Sequence, residues 1–358
     1  MYPPSQYLRW ARRFYGQVKF DLATSGIPTV PSGELAADET TPNDGPAAWA
    51  RLCQQIASHN DVGVDEVLPA LGTSHALWLA CASLASPGDE VIVEEPAYEP
   101  LAGIAAGVGA HVVHVPRDAR AGFGLDPERF ERAMTPRTRA IVVTNLHNPS
   151  GVRAGDEVLR AVARVAERAG AFLVVDEVYA AFDALIDEGG VFRGGARKLA
   201  PNVVAVSSLT KCYGLGPDRI GWLVGPKDVV DRAGDALIAS TGMLPRSYAR
   251  TGVAAFSRLL ELAARSRSLL SGKRERVATW VASHGLTWSG PKEGIFGLVS
   301  VPGREDLTPA IEKAARTRQV LVAPGAFFGL PHAFRIAWSL PGDLLDEGLQ
   351  RLAEALEL

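Results

Sequence analysis

The chain has 358 residues, 47% of them hydrophobic, and 37 Lys and Arg against 40 Asp and Glu leave a formal net charge of −3. That length supports a large core divided over more than one domain, and basic residues spread along a nearly neutral chain exclude the electrostatic footprint of a nucleic-acid binder. MYPPSQYLRWARRFYG lacks a signal-type apolar stretch and ALWLACASLA is far shorter than a membrane span, so a soluble cytoplasmic protein is expected. From about residue 46 to 240, helical stretches alternate with short apolar strands, the pattern of a mostly parallel sheet covered on both faces. Gly72-Thr73-Ser74-His75-Ala76 opens an apolar helix, and strands follow at EVIVEE (90–95), AHVVHV (110–115), RAIVVTN (139–145), AFLVVDE (171–177), NVVAVSS (202–208) and IGWLVG (220–225). Helices are read at DPERFERAM and at DEVLRAVARVAERAG, the latter with apolar spacing near 3.6 and a C-cap at Gly170. Residues 245–284 read as two long helices. After Gly290–Gly294 the pattern becomes GIFGLVSV, a helix near 307–316, QVLVAP, AFRIAWSL and a closing amphipathic helix, which reads as a smaller α+β domain.

Two candidate metal sites fall away on spacing. His111 and His114 stand an odd number of residues apart on a strand and so point to opposite faces. Cys53, Cys81 and Cys212 are widely separated and make neither a disulfide framework nor a zinc site, and Cys212 reads as a buried structural thiol.

The run VVAVSSLTKCYGLGPDRIGWLVG carries the chemistry. Lys211 stands at the mouth of an apolar strand between hydroxyls and glycines, where desolvation strips its proton and leaves a free amine for Schiff-base formation with a carbonyl. Ligands of such sheets bind beyond the carboxyl ends of the strands, where Asn148, Asp176 and Lys211 can converge on one crevice. Asp176 ends the apolar run AFLVVD, where a carboxylate needs a cationic partner, or else caps the following EVYAAF segment. Thr73 and Ser74 at the start of the apolar helix suit an anion, or form a simple N-cap. Tyr98 follows EVIVEE as a ring-stacking or core aromatic. Arg335, amid the apolar AFRIAWS, needs an anionic partner, either a substrate or an internal salt bridge.

With their spacings, these residues resemble the fold type I pyridoxal-phosphate enzymes, the aspartate aminotransferase superfamily (aminotransferase class I and II), over nearly the whole chain from Gly26 to Arg335. The resemblance implies an α/β fold: a large domain with a mostly parallel, seven-stranded-type sheet between helices, plus a smaller α+β domain. It implies a large domain over 41–265, a small domain over 266–358, and a segment 1–40 that joins the latter. It makes pyridoxal 5′-phosphate the cofactor, bound covalently to Lys211. Ser208, three residues before the lysine, and Arg219, eight after it, would hold the phosphate with Thr73 and Ser74. Asp176 would pair with the ring nitrogen, Tyr179 and Asn148, 28 residues before Asp176, would face the ring's phenolate oxygen, and Tyr98 would stack on the ring. Arg335 would fork onto a substrate α-carboxylate, and Gly26 would leave room for substrate to approach.

The implied activity is amino transfer between an α-amino acid and a 2-oxo acid, in a homodimer, with no metal, membrane or nucleic acid. Relatives carry a tyrosine that reaches the partner's phosphate where this chain has Thr40 and Thr41. The N-terminal YLRWARRFYGQVKFDLATSGIPTVPSGEL also resembles capreomycidine synthases, cofactor-dependent cyclases, so a lyase or cyclase is the rival reading. A non-catalytic regulator of this fold is a third, which the presence of Lys211 and the lack of a basic winged-helix segment disfavour.

Overall fold

The computed structural model describes residues 2–31, 35, 41–185, 191–192 and 194–358, so that Thr40 lies outside the described residues. Helix α1 (Gln6–Phe14) starts where Ser5 Oγ accepts the Leu8 N–H, and it buries Tyr7, Trp10, Ala11 and Phe14, one helical face at the i, i+3, i+4, i+7 spacing. Strand β1 (Phe20–Asp21) and helix α2 (Gly45–Asn60) follow, then strand β2 (Val67–Leu71), which runs without a break into helix α3 (Gly72–Leu84). The chain then alternates through β3 (Glu90–Glu95), α4 (Pro100–Gly107), β4 (His111–Pro116), α5 (Pro127–Ala133), β5 (Thr138–Thr144), α6 (Asp156–Arg168), β6 (Phe172–Asp176), β7 (Val203–Ser208) and β8 (Ile220–Val224).

Strands β2 to β8 form one seven-stranded sheet in the order β2-β8-β7-β6-β5-β3-β4, parallel except for β8, which runs against both its neighbours. The inner strands are buried on both faces, which is why they read as unbroken Val, Ile and Leu runs. The winding direction switches between β3 and β5, and their carboxyl ends, with those of β6 and β7, open on one crevice. Register places Thr144 level with Asp176 and Asp176 level with Val206, so these strand ends present side chains at a common height. His111 and His114 are exposed on the edge strand β4, and no metal-binding cluster of acidic, His and Cys side chains occurs among the described residues.

Two elements depart from the sequence reading. Strand β2 was unforeseen, since VLPAL contains a proline and has no alternation; it is an edge strand, the position a sheet proline tolerates. The stretch read as two helices after residue 245 is three: after α7 (Lys227–Thr241) come α8 (Arg246–Ser257), α9 (Leu259–Leu270) and α10 (Lys273–Ser283). Arg258 breaks the first pair, and Gly272 at φ +69° breaks the second, a left-handed position that glycine takes without strain.

A second layer begins with β9 (Thr287–Trp288) and β10 (Phe296–Ser300), followed by α11 (Thr308–Arg318), β11 (Val320–Leu321), β12 (Ala323–Pro324), β13 (Ala333–Ala337) and α12 (Gly342–Leu356). Strands β12, β13, β10 and β9 make a four-stranded antiparallel sheet. The N-terminus is woven into this layer. Phe20 pairs with Val320, Leu22 N–H donates to Leu321 O, and Tyr7, Trp10 and Phe14 join a core with Phe328, Phe334 and Leu352. No helix among the described residues is long and apolar enough to cross a membrane.

Candidate active site

A cavity of about 310 Å³ lies at the carboxyl ends of β3, β5, β6 and β7, near the lower end of the roughly 300–1,000 Å³ range of small-ligand sites. Of the residues singled out in the sequence, Lys211, Asp176, Asn148, Tyr179, Tyr98, Thr73, Ser74 and Arg219 line it. Ser208, Arg335 and Gly26 stand one step behind.

Lys211 is half-buried, and loss of hydration, followed by the charges of Arg335 and Arg219, pulls its amine down to about 8 against a smaller opposing pull from Asp176. Its Nζ lies 3.5 Å from Ser25 Oγ, which also accepts the Tyr179 hydroxyl at 3.0 Å. A Cβ built on Gly26 would rest 3.5 Å from Lys211 Cδ, ordinary contact, so the glycine at this point packs the lysine stem and is not demanded by a clash. The reaching side chain is its neighbour Ser25.

Asp176 is buried. Desolvation raises its carboxyl to about 7, against the lowering effect of the Val178 N–H that donates to Oδ1 at 3.0 Å. That local bond spans two residues and caps no α-helix; the segment after it is a 3-10 turn, Ala180–Leu185. A carboxyl shifted this far holds its proton more tightly than usual, and a cation placed beside it would favour the ionised form.

The start of α3 faces the same space. Its first N–H groups have no carbonyl partner within the helix, and the Thr73 hydroxyl donates to Ser208 Oγ at 2.9 Å, which in turn meets Thr210 Oγ1 at 2.7 Å. Gly72 is obligatory here: its φ is +73°, an added Cβ would stand 2.4 Å from Arg219 Nη2, and a Cβ on Gly221 would stand 2.5 Å from the Gly72 Cα. Arg219 itself holds φ +58°, uncommon for a residue with a side chain and worth a kcal/mol or so of strain, about 1–3. Helix N-terminus, hydroxyls and guanidinium together make an anion cradle. These groups, with the half-buried lysine and the buried carboxylate, fit pyridoxal phosphate: the cradle suits its phosphate, Asp176 its ring nitrogen and Lys211 its aldehyde. Thr144, 1% exposed, lines the cavity with an Oγ1 that has no partner among the described residues, a further donor awaiting a ligand.

Arg335 on β13 has no carboxylate partner among the described ion pairs, in contrast to the buried Glu94–Arg117 pair, joined at 2.5 Å behind β5. Instead its Nη1 donates to Asn148 Oδ1 at 2.7 Å and its Nη2 to Tyr7 OH and Ala23 O, both at 2.9 Å. Because Oδ1 of Asn148 accepts from the guanidinium, its amide NH2 is the group left to donate elsewhere. Tyr7, Tyr15, Ser25, Thr144 and His147 were not foreseen. His147 is fully buried; its Nε2–H donates to Pro96 O at 2.7 Å and its Nδ1 meets Ser150 Oγ at 2.6 Å, tying the turn before Tyr98 to the turn after Asn148. Burial, then Arg117, keeps that ring neutral. Tyr7 reaches the site because Glu99, beside Tyr98, accepts the Gln6 and Tyr7 N–H groups at 2.9 Å and the Ser5 hydroxyl at 2.6 Å, pinning the positive end of α1 over the crevice. Tyr98 is half-buried and meets Tyr7 edge-on at 6.0 Å between centroids. Cys212 is a buried free thiol whose proton burial holds firmly.

Comparison with known proteins agrees with this geometry. Residues 39–352 match the family model for aminotransferase class I and II. Capreomycidine synthase of Streptomyces vinaceus is 31% identical over 97% of this chain and 92% of its own length. A probable aspartate/prephenate aminotransferase of Thermus aquaticus is 32% identical over 83% of this chain and 77% of its own. Among solved structures, a PLP-dependent aminotransferase of Streptococcus suis superposes with a TM-score of 0.88 at 22% identity, covering 99% of this chain and 98% of that one, which speaks for the fold. With a family model covering most of the chain and a cofactor cradle to match, this chain belongs to the pyridoxal-phosphate-dependent aminotransferases of class I and II.

Proposed function

We propose that the chain moves an amino group between an α-amino acid and a 2-oxo acid, with Lys211 as the covalent anchor of the cofactor and the carrier of the transferred proton. The observation that carries this reading is a half-buried lysine brought down to about 8 in the same cavity as a buried carboxylate raised to about 7. Bound pyridoxal phosphate supplies an electrophilic carbonyl and an electron-withdrawing ring. This chain's side chains do the rest. Lys211 gives up its proton readily because burial disfavours the ammonium, so the amine can attack, be displaced by substrate and then accept the α-proton at Nζ. Asp176, paired with a ring N–H, would regain the ionised form that burial otherwise discourages and keep that proton in place. The Tyr179 hydroxyl and the Asn148 amide supply neutral donors opposite the ring's phenolate oxygen. Ser208, Thr73 and Ser74 add hydroxyls, and Arg219 a positive charge, at the phosphate.

The likeness to capreomycidine synthase along 97% of this chain supports a second reading, a cofactor-dependent lyase or cyclase of an amino acid. One experiment separates the two. Single-turnover mixing of the loaded enzyme with a good amino donor and no oxo acid is expected to convert the bound cofactor to pyridoxamine phosphate. Substrate consumption with pyridoxal phosphate retained quantitatively would establish the second reading.

The working unit in this reading is a homodimer. Ile238 and Met243, 66% and 86% exposed at the end of α7, support an apolar face that a second copy would cover. Sedimentation at assay dilution should give a dimer; a fully active monomer would refute it.

A further inference from the structure

We propose that the Tyr7 hydroxyl is a direct hydrogen-bond donor to the substrate's α-carboxylate, interposed between the cavity and Arg335. The proposal rests on the reading that an α-amino acid occupies this cavity. Arg335 is 1% exposed and does not itself line the cavity, whereas Tyr7, Tyr15 and Asn148 do. What an incoming anion meets on this side is therefore a phenol and an amide, with the guanidinium behind them.

The hydrogen bonds determine which way the phenol can act. Tyr7 OH accepts from Arg335 Nη2 at 2.9 Å and lies 2.6 Å from Tyr15 OH. Tyr15 donates to Ala23 O at 3.3 Å, which leaves the Tyr15 oxygen to accept from Tyr7. Burial, then Tyr7, raises the Tyr15 phenol well above its ordinary value, so Tyr15 stays protonated. The Tyr7 proton thus rests on a neutral oxygen and can turn to an anionic one by rotation of a single hydroxyl, while its own oxygen keeps the charged Arg335 donor. Such a relay polarises the phenol toward the carboxylate. Its ring is fixed from all sides, by Trp10, Tyr98, Phe327 and Phe328 at 5.7–6.4 Å between centroids, so the hydroxyl is presented at little further entropic cost.

Tyr7→Phe keeps every ring contact and removes one oxygen. On the cofactor-loaded enzyme, titration calorimetry with butyrate, a carboxylate without an amine, should show a Kd raised by about ten-fold or more, the scale of a hydrogen bond to a charged group. The KM for the amino donor should rise by a similar factor with kcat nearly unchanged. Preference for an α-amino acid over its decarboxylated amine should fall by that same factor, while cofactor affinity stays at the wild-type value and the melting temperature falls modestly, because Arg335 Nη2 loses one acceptor. Tyr15→Phe, which removes only the resting acceptor, should leave butyrate affinity unchanged or tighter. Unchanged butyrate affinity in Tyr7→Phe, an equal loss for the decarboxylated amine, or a Tyr15→Phe loss as large as that of Tyr7→Phe would each overturn the assignment. Because butyrate binding needs no amino transfer, its outcome stands whether or not the wild-type enzyme forms pyridoxamine phosphate.

Discussion

Lys211→Ala is expected to remove the borohydride-trappable bond between chain and cofactor and to cut turnover by at least about a thousand-fold. Two functions vanish with one nitrogen: the covalent anchor, and the base that carries the α-proton, itself worth about 10²–10⁴-fold. Among the described residues no second lysine lines the cavity to replace it. The fold should survive. Burial, then Arg335 and Arg219, moves the amine from 10.5 to about 8, on the order of 3 kcal/mol against the charged form. In the cofactor-free protein this cost is present in full below about pH 8 and fades as pH rises toward 10.5, so at pH 7 the apo variant should melt no lower than wild type. A reducible covalent cofactor bond surviving in Lys211→Ala would remove Lys211 from the chemistry.

Asp176→Ala should bind some cofactor through the phosphate cradle yet lose most activity, because a ring nitrogen without its proton is a poor electron sink. Near-normal turnover in this variant would reduce Asp176 to its local bond with Val178. The same residue makes a separate prediction about stability. Desolvation raises its carboxyl from 3.8 to about 7, on the order of 4 kcal/mol against the ionised form. Between those values the folded apo-protein holds a proton that the unfolded chain has released, so its stability should fall as pH rises from about 4 to 7 and then level off. Asp176→Asn should make that part of the profile shallower, leaving the slope from Glu177, whose carboxyl burial also raises to about 7. Bound cofactor should make it shallower too, by supplying the cation. Thermal melts of the apo and loaded forms across this range check both.

The parallel sheet made much of the site legible. Asn148, Asp176, Ser208 and Lys211 each follow a strand whose continuous apolar run marks its burial, and parallel strands bring successive carboxyl ends to one edge. Their separations along the chain therefore translate directly into convergence in space. Arg219 was legible only through the family resemblance, because the pairing of β2 with β8 that brings Gly72 to it had no signal in VLPAL.

The N-terminal contribution was not legible. The Tyr7–Arg335 bond joins residues 328 apart, and the Arg335–Asn148 bond joins residues 187 apart. No local periodicity encodes either one. The placement of α1 depends on Glu99 accepting its first N–H groups, on Phe327 receiving Trp10 and on Phe328 receiving Tyr7. His147 and Thr144 escaped for the same reason, because a polar residue in a strand-end turn acquires a role only when the packing around it decides which donors and acceptors are left without water. The sequence by itself thus determined the inner strands of the sheet, the lysine and the strand-end residues that share its crevice, all consequences of local pattern repeated at strand ends. Only the tertiary structure decided what closes the crevice and stands in front of Arg335, because that depends on how α1 docks across long-range contacts and on the hydrogen-bond partners burial leaves available.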